Sequence, residues 1–421
     1  MTAPAPPFGG TDRGRRRLIV RGDLRSRTGL AYHVRAQLHL LAGEFDIVGV
    51  DVHPDPSDRE GRFPYPVIPD AEVRRQIAAS RHRPVVLHHT PPDDFRSFPG
   101  AWNVGSFAWE TDVAPRLRQW AIKIALMDAM WAQCSMIADL IRQTGYPGPV
   151  HGITWPFDFA QIRRGDPGLR QGIGALLFGR QIGRGFETRT TSLAQARVGA
   201  RNLFVTVQSM SARKGLPILL SEWHKHLADS ANAADLLVLR LAFRHASNLS
   251  GSPEEHLSAM LQDAGFRPGE DARVGIITRT MSDAELTKLF QTCDAYVSTT
   301  LGEGFGGPIV EAIVNHRPVI APRHTAMIDY ITDDYPLIVA SERRVGGLPV
   351  YPPASSWQIP LPGSVAAQLA VFAGMSAAER ARLTLGLRAH AARFCSVPVV
   401  RHAMQSFFRA LLATPVATEA A

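Results

Sequence analysis

Two carboxylates around a glycine-rich segment are the groups in this sequence most suited to chemistry. Glu303 and Glu311 lie eight positions apart, and the residues between them include Gly304, Gly306 and Gly307. An apolar run precedes this segment, and a helical pattern with a proline in its first turn follows it. Glycines let the backbone approach a ligand closely, and the free amides of a helix start point at it. We therefore expect a phosphate or polyhydroxyl ligand there, with both carboxylates bordering one pocket.

This segment resembles the signature of the family 4 retaining glycosyltransferases, which include glycogen synthases, sucrose synthases and many bacterial sugar transferases. The resemblance rests on Glu303-Gly304-Phe305-Gly306 and on Glu311, and residues 311–321 resemble the family's following helix and strand. It implies that Glu303 contacts the donor sugar as a catalytic residue and that Glu311 binds the ribose hydroxyls. It also assigns donor binding to Phe305 and the three glycines. Without the glycine loop and flanking strands, two such glutamates would more simply be favourable helix-start electrostatics.

A second segment, 204–215, is similar to the family's diphosphate-binding segment. Lys214 stands where the family lysine contacts the donor diphosphate, and a compact ammonium suits phosphate oxygens. The family often has an arginine five positions earlier, where this chain has Ser209, and Arg213 could compensate. The resemblance thus adds Ser209, Arg213 and Lys214 to the donor site. Taken alone, Lys214 could equally be a solvated lysine in the turn before Gly215.

Signals in the first half of the chain are weaker. Gly29 lies in a segment that resembles the family's first loop, which approaches the donor phosphate. Two further strand ends resemble loops of a bacterial subgroup of the family. They supply His89 and Glu110 as candidate catalytic residues, and Trp109 as an acceptor-binding residue that could stack on a sugar ring. The alternative for the histidine is a structural role, and its spacing suggests no metal site.

Strand-like runs alternate with helical patterns along the whole chain, which indicates parallel sheets flanked by helices. The strands are expected near 17–22, 45–52, 84–88, 101–107, 130–134, 203–207, 236–239, 274–278 and 295–298. We split the helical-looking stretch 113–145 into helix, strand and a second helix capped by Ser135. Two α/β halves result. The family resemblance implies the GT-B fold, with two facing Rossmann-like domains and a cleft between them.

The domain division follows from this alternation. We expect a flexible arm at 1–16, an acceptor domain at 17–165, a basic Gly/Arg-rich interdomain segment at 166–200 and a donor domain at 201–390. A C-terminal helix at 391–415 would, by the resemblance, cross back to the first domain. A length of 421 residues suits two domains.

Composition is that of an ordinary soluble protein, with 45% hydrophobic and 20% charged residues. The chain lacks an apolar run of about 18 residues that could cross a bilayer, and its start lacks the apolar core of a signal peptide. The three cysteines, Cys134, Cys293 and Cys395, are widely spaced, which argues for a reducing compartment and against a metal cluster. We therefore expect a cytoplasmic protein.

Arginine supplies all but four of the 46 basic residues, and the net charge is +8. The basic residues are densest between 163 and 201, around an apolar island at 173–178. Two interpretations stay open: a solvated interdomain segment, or peripheral attachment to an anionic membrane where a lipid-linked acceptor is met. Nucleic-acid binding has no recognition motif to support it.

The chemistry that the resemblance implies is transfer of a sugar from a nucleotide diphosphate sugar to a saccharide or lipid-linked acceptor hydroxyl, with retention at the anomeric carbon. We expect no metal and no permanently bound cofactor, since the chain has no Asp-x-Asp pair and Lys214 could stabilise the leaving phosphate. Bacterial surface polysaccharide or glycolipid synthesis is the expected setting. A non-catalytic sugar-binding or scaffold subunit, a phosphorylase and a nucleotide-sugar epimerase remain alternatives.

Overall fold

The protein divides into two compact units of α/β structure. The structure, a computed structural model, describes residues 14–26, 28–52, 62–160, 174–179, 187–242, 252–267, 270–348 and 351–414. Unit 1 comprises Met1–Pro156 and Phe394–Ala421, and unit 2 comprises Phe157–Arg393.

Unit 1 is built on a six-stranded sheet in which every neighbouring pair is parallel. Its elements are β1 (Arg16–Gly22), α1 (Gly29–Leu41), β2 (Phe45–Asp51), α2 (Val73–Ala78), β3 (Val85–His89), β4 (Trp102–Ser106), α3 (Leu117–Ile124), β5 (Ala129–Ala132), α4 (Ser135–Gln143) and β6 (Val150–Gly152). The strand order is β2-β1-β3-β4-β5-β6, so all carboxyl ends meet at one edge, where open sheets of this kind bind ligands.

Unit 2 is built on an eight-stranded sheet of order β14-β13-β12-β9-β10-β11-β7-β8. Its elements are β7 (Gly174–Gly179), β8 (Glu187–Ser192), α5 (Leu193–Val198), β9 (Leu203–Ser209), α6 (Leu216–Leu227), β10 (Leu236–Ala242), α7 (Pro253–Asp263), β11 (Val274–Ile277), α8 (Asp283–Thr292), β12 (Ala295–Val297), α9 (Gly307–Val314), β13 (Val319–Pro322), β14 (Ile338–Val339), β15 (Ser341–Val345), β16 (Ser356–Pro360), α10 (Ser364–Gly374) and α11 (Ala377–Cys395). The strands from β14 to β11 are parallel, while β7 and β8 add an antiparallel edge.

The last helix, α12 (Val397–Ala413), belongs to unit 1. Its aromatic residues Phe407 and Phe408 are buried in the core of that unit, where both rings pack edge-on against Trp131 of β5. Met404 and Leu411 lie on the same face of the helix and are also buried. This apolar face explains why a C-terminal segment completes the first unit.

Three expectations about domain boundaries differ from the structure. The chain enters unit 2 at Phe157, not after residue 165, because the Phe157 ring stacks on Phe305 with centroids 5.7 Å apart. The described part of the 166–200 segment is not an interdomain excursion: β7 pairs with β11, and β8 with β7. The helix expected at 391–415 is the end of α11 followed by α12. Residues 1–13 of the expected arm lie outside the described residues.

The split of 113–145 into α3, β5 and α4 is observed, but the proposed cap is wrong. Cys134 occupies the N-cap position of α4, and Ser135 is the first helical residue. Backbone conformation decides this, since Cys134 has extended φ and ψ angles of −149° and 169° whereas Ser135 already belongs to the helix.

Candidate functional site

The two donor-site segments lie side by side at one edge of the sheet of unit 2. Strands β9 and β12 are neighbours, and the loops after them are hydrogen-bonded to each other. The amide of Leu301 donates to the carbonyl of Arg213 at 2.8 Å. The Thr299 hydroxyl donates to the carbonyl of Gly215 at 2.9 Å. These contacts fix the turn that carries Arg213 and Lys214 against the loop that leads to Glu303.

Glu303 is buried, with 7% of its surface exposed, and both of its carboxylate oxygens face cations. Lys214 Nζ lies 2.5 Å from Oε1, and Arg213 Nη1 lies 3.1 Å from Oε2. The same Arg213 nitrogen also donates to the Gly302 carbonyl at 2.6 Å. The sequence indicated these three side chains separately, but it did not predict that they bind one another.

This arrangement decides the charge of the carboxylate. Burial alone would raise the pKa of Glu303, but the charges of Lys214 and Arg213 outweigh it and lower the pKa to about 2. Glu303 is therefore ionised at neutral pH. It balances two cations that are themselves largely buried, with 14% of the Lys214 and 12% of the Arg213 side chain exposed.

His324 and Thr325 hold the backbone of the glutamate and were missed by sequence reasoning. The Glu303 amide donates to Thr325 Oγ1 at 3.0 Å, and this hydroxyl lies 3.2 Å from His324 Nδ1. His324 Nε2 lies 3.0 Å from the Thr300 carbonyl, which can only accept, so Nε2 carries the proton. Burial lowers the pKa of His324 to about 4, which keeps the ring neutral. The sequence signal that could have identified His324 and Thr325 was their position just after β13, at the same edge of the sheet as Glu303.

Two glycines are required where helices begin beside Glu303. Gly215 precedes α6 with φ of 66°, and a Cβ there would lie 2.3 Å from the Thr299 carbonyl oxygen. Gly306 precedes α9 with φ of 84°, and a Cβ there would lie 2.5 Å from the Tyr330 hydroxyl. That hydroxyl donates to the Phe305 carbonyl at 2.8 Å. Only glycine fits both the positive φ and the space.

The remaining residues of unit 2 that the sequence assigned to the donor site differ in their burial and contacts. Glu311 is half-buried on α9, while Gly304 and Gly307 flank the turn into that helix. Burial raises the pKa of Tyr296, and the charges of Glu303 and Glu311 add to this effect, so both carboxylates act on one buried hydroxyl. The Phe305 side chain packs into the core between Phe157 and Tyr330.

Ser209 is the last residue of β9 and leads into the turn that carries the two cations. Its carbonyl accepts the Ser211 amide at 2.9 Å. Arg213, four residues later, is the arginine that reaches Glu303. An arginine is thus present beside Lys214 although position 209 holds serine.

In unit 1, His89 ends β3 and is buried, and burial lowers its pKa to about 4. Its Nε2 lies 3.1 Å from Gln37 Oε1, an acceptor, so Nε2 carries the proton and Nδ1 is a free acceptor. The Gln37 amide nitrogen donates in turn to the Thr154 carbonyl at 3.0 Å. His89 is therefore a neutral imidazole, held in one tautomer by a glutamine that the sequence did not single out.

The other candidates of unit 1 lie after β1 and β4. Trp109 and Glu110 are half-buried; Trp109 packs edge-on against Trp120 at 5.4 Å, and its indole nitrogen donates to the Val113 carbonyl at 2.9 Å. Gly29 is the first residue of α1, where the Thr28 hydroxyl accepts the Ala31 amide at 3.2 Å. Each unit thus gathers its own candidate residues at the carboxyl edge of its sheet.

The described residues contain no cluster of three or more His, Cys, Asp or Glu side chains placed to hold a metal ion. Within the same ranges, the helices are all too short or too polar to cross a membrane.

Comparisons with known proteins agree with this geometry. Residues 201–346 match the family model "Glycosyl transferases group 1", while no curated protein matches the chain in sequence. That segment contains the turn with Lys214 and the loop with Glu303. The match therefore falls on the part of unit 2 that forms the candidate donor site.

Solved structures match the whole fold. An α,α-trehalose-phosphate synthase from Burkholderia xenovorans, in complex with glucose-6-phosphate, is 14% identical with a TM-score of 0.63, over 94% of this chain and 99% of that one. Anabaena Alr3699/HepE in complex with UDP is 13% identical with a TM-score of 0.63, over 94% and 100%. A Candida albicans trehalose-6-phosphate phosphatase N-terminal domain is 11% identical with a TM-score of 0.62, over 94% and 98%. The chain has the GT-B fold that we expected, and its residues 201–346 are similar to the glycosyl transferases of group 1.

Proposed function

We propose that this protein is a retaining glycosyltransferase of family 4 that moves a sugar from a nucleotide diphosphate sugar to an acceptor hydroxyl. The observation that carries the proposal is the buried Glu303 held by Lys214 and Arg213 at the sheet edge of unit 2. A carboxylate at the start of a glycine-rich loop and two adjacent cations are what a sugar and its diphosphate need.

In the donor site, Lys214 and Arg213 balance the charge that grows on the departing phosphate. The amide groups at the starts of α6 and α9 add hydrogen-bond donors with the positive end of the helix dipole. Glu303 contacts the sugar and Glu311 the ribose. Since two protein cations face the diphosphate, we infer that transfer needs neither a metal ion nor a permanently bound cofactor.

Transfer breaks the bond between the anomeric carbon and the phosphate oxygen, and the acceptor oxygen bonds to the same face of that carbon. The acceptor proton passes to the departing phosphate oxygen, so no charged intermediate needs a protein nucleophile. His89 and Glu110, with Trp109, orient the acceptor in unit 1. The neutral His89 acts through its free Nδ1, which accepts a hydrogen bond from an acceptor hydroxyl.

We further propose a cytoplasmic enzyme of bacterial surface polysaccharide or glycolipid synthesis. Its acceptor would be a saccharide or a lipid-linked saccharide, met at the inner face of the membrane. The basic residues between 163 and 201 support such contact by their charge. Alr3699/HepE, which shares the fold, is described with UDP and glucose, which makes UDP sugars the first donors to test.

Lys214→Ala should weaken UDP binding at least tenfold, since it removes one of two buried cations facing the diphosphate. Lys288→Ala, on the exposed side of α8, is the matched control and should bind UDP as the wild type does. Calorimetric titration with UDP measures both, after a thermal-shift screen of nucleotide sugars has identified the donor.

Nucleotide release separates the proposal from its main alternative. The wild type should release nucleotide from the stabilising donor when acceptor saccharides are added, and Glu303→Gln should not. If nucleotide sugars bind but the wild type never releases nucleotide, the chain is a non-catalytic sugar-binding subunit, an alternative that Ser209 favours by its departure from the family pattern. If no nucleotide sugar binds, the donor site itself is wrong.

A further inference from the structure

The carboxyl edge of the sheet in unit 1 gathers buried polar side chains that lack a hydrogen-bond partner among the described residues. Their unpaired atoms are His89 Nδ1, Thr90 Oγ1, Ser106 Oγ, both amide atoms of Gln133, and Thr154 Oγ1. Each of the five residues is at least nine-tenths buried, from 1% exposed for Ser106 and Gln133 to 7% for Thr154. Such groups are rare singly in native proteins, and five together require an explanation.

These side chains are neighbours because they end adjacent strands. His89 and Ser106 are directly paired across β3 and β4. Gln133 follows β5 by one residue, and Thr154 follows β6 by two. Gln37 spans the group, since it bonds His89 with one amide atom and the Thr154 carbonyl with the other. The residues that carry the unpaired atoms therefore form one cluster of strand ends along the sheet edge from β3 to β6.

The cluster offers both donors and acceptors. His89 Nδ1 can only accept in the tautomer that its bond to Gln37 fixes, whereas the Gln133 amide carries two donors and an acceptor. Three hydroxyls can act either way. A ligand that satisfies this set must itself combine donors and acceptors at close spacing, which is the property of a polyhydroxyl compound.

The cluster is also uncharged, and the chain around it lacks cations. The four residues that follow each of β3, β4, β5 and β6 include no lysine or arginine, but they include Asp93 and Glu110. The nearby Arg21 is bound to Asp70 at 2.7 Å. Arg25 lies in the loop after β1, three strands from β5. A phosphate group bound at this edge would lie near carboxylates, and the segments that follow β3 to β6 offer it no lysine or arginine.

We propose that this cluster binds an unphosphorylated sugar through Ser106, Gln133 and Thr154 together with His89. The inference rests on the proposed function, because it assigns this sugar as the acceptor. It sets the chain apart from the trehalose-phosphate synthase of similar fold, which is described in complex with glucose-6-phosphate. The part of the acceptor that binds unit 1 is thus an uncharged sugar with a free hydroxyl group.

Gln133→Met tests the proposal, because methionine keeps the length of the side chain and removes its polar atoms. Binding of glucose, mannose and galactose is compared with that of glucose-6-phosphate by saturation-transfer NMR, with UDP present. At least one neutral sugar should bind, and Gln133→Met should weaken it about tenfold. Gln143→Met, at the exposed end of α4, is the matched control and should leave binding unchanged.

Stability distinguishes a ligand site from a structural network. Replacing an unpaired buried amide by an apolar group should leave the melting temperature unchanged or raise it, whereas loss of a structural hydrogen bond would lower it. Ser106→Ala and Thr154→Val provide independent variants with the same expectation. The proposal is overturned if glucose-6-phosphate binds more tightly than glucose, if no neutral sugar binds, or if all three variants bind sugar as the wild type does.

Failure of this inference differs from failure of the proposed function. UDP binding and nucleotide release are measured on the same samples. If the wild type binds UDP and releases nucleotide but prefers a phosphorylated acceptor, only the neutral site is wrong. If it neither binds UDP nor releases nucleotide from any donor, the glycosyltransferase proposal fails first.

Discussion

At the scale of single residues, Glu303 is a buried anion at the site proposed to bind the donor diphosphate. Its two oxygens are bound to Lys214 and Arg213, the cations assigned to the phosphates. An incoming diphosphate must compete with the carboxylate for them. Under the proposed function, Glu303 has two effects of opposite sign: it contacts the sugar, and it lowers the affinity of the empty site for anions.

Glu303→Gln should separate these effects. We expect it to bind UDP about tenfold more tightly than the wild type, because two buried cations lose their counter-ion. For the same reason the free energy of unfolding without ligand should fall by about 3 kcal/mol. Calorimetric titration with UDP and denaturant unfolding measure the two quantities. Unchanged UDP affinity would mean that the ion pairs persist when the diphosphate binds.

The matched control for Glu303→Gln is Glu342→Gln. It removes a more exposed carboxylate, paired with Arg344 on β15, and should change the free energy of unfolding little.

The stabilising effect of Glu303 should depend on pH. The pKa of Glu303 is lowered to about 2 from a usual 4.5. Its contribution is thus fully present above pH 4.5 and is lost as the pH falls toward 2, so the stability difference between wild type and Glu303→Gln should narrow over that window.

At the scale of elements, the start of α9 depends on one glycine. In Gly306→Ala the new methyl group would meet the Tyr330 hydroxyl at 2.5 Å and the residue would keep a positive φ, so we expect a loss of about 1–3 kcal/mol of stability. UDP affinity should fall as well, because the helix start moves away from its ligand. Gly374→Ala, at the end of α10 with no heavy atom within 4 Å, is the control.

Thermal unfolding and UDP titration of the two variants provide the measurement. Gly374→Ala should be neutral or slightly stabilising, since alanine has the better helix propensity. If Gly306→Ala matches it in both stability and affinity, the helix start does not depend on the close approach to Tyr330. In that case the fold and the UDP site would not require glycine at position 306.

The elements that the sequence predicted are those with continuous apolar runs. Strand β9 begins with six buried residues, of which four are apolar, so the sequence indicates a buried strand. The hairpin of β15 and β16 gave no such signal, because Ser341–Val345 is mostly exposed and contains one glutamate and two arginines. Strand β6, with three residues, is too short to show a period.

The site was predictable only as far as local motifs reach. Glu303 and Lys214 each stand in a recognisable segment, but their contact joins residues 89 positions apart and depends on how β9 and β12 pair. Thr325 has a φ of 48°, which is rare for a β-branched residue, and nothing in its neighbours indicates this. Gln133 is one of many glutamines until the sheet places it at the edge where Ser106 and Thr154 also lie.

At the scale of the whole molecule, the two units differ in how many of their described histidines have a pKa that burial lowers. Burial lowers the pKa of His33 and His88 to about 3 and that of His89 to about 4, and all three lie in unit 1. For His88 the charge of Arg21 adds to the effect. In unit 2, burial lowers the pKa of His324 to about 4.

The sign of the resulting pH dependence follows from proton uptake. A histidine that is neutral in the folded protein binds a proton on unfolding whenever the pH is below 6.5, so its stabilising effect is complete above pH 6.5 and falls as the pH is lowered toward its folded pKa. Each such group lowers the free energy of unfolding by up to about 1.4 kcal/mol per pH unit. Burial also lowers the pKa of the partly buried His151 in unit 1 and His316 in unit 2. Among the described residues, four such groups in unit 1 against two in unit 2 predict a steeper loss in unit 1.

Calorimetry between pH 7 and pH 5 tests this prediction, since the window lies above the range in which the carboxylates described here titrate. The melting temperature of unit 1 should fall faster than that of unit 2, with hydrogen exchange assigning each transition to its residues. In His89→Gln, unfolding of unit 1 should take up about one proton fewer, so its stability should depend less steeply on pH. His82→Gln, at an exposed position before β3, should not change this dependence. Equal slopes for the two units would show that the buried histidines of unit 1 are already protonated or become hydrated before it unfolds.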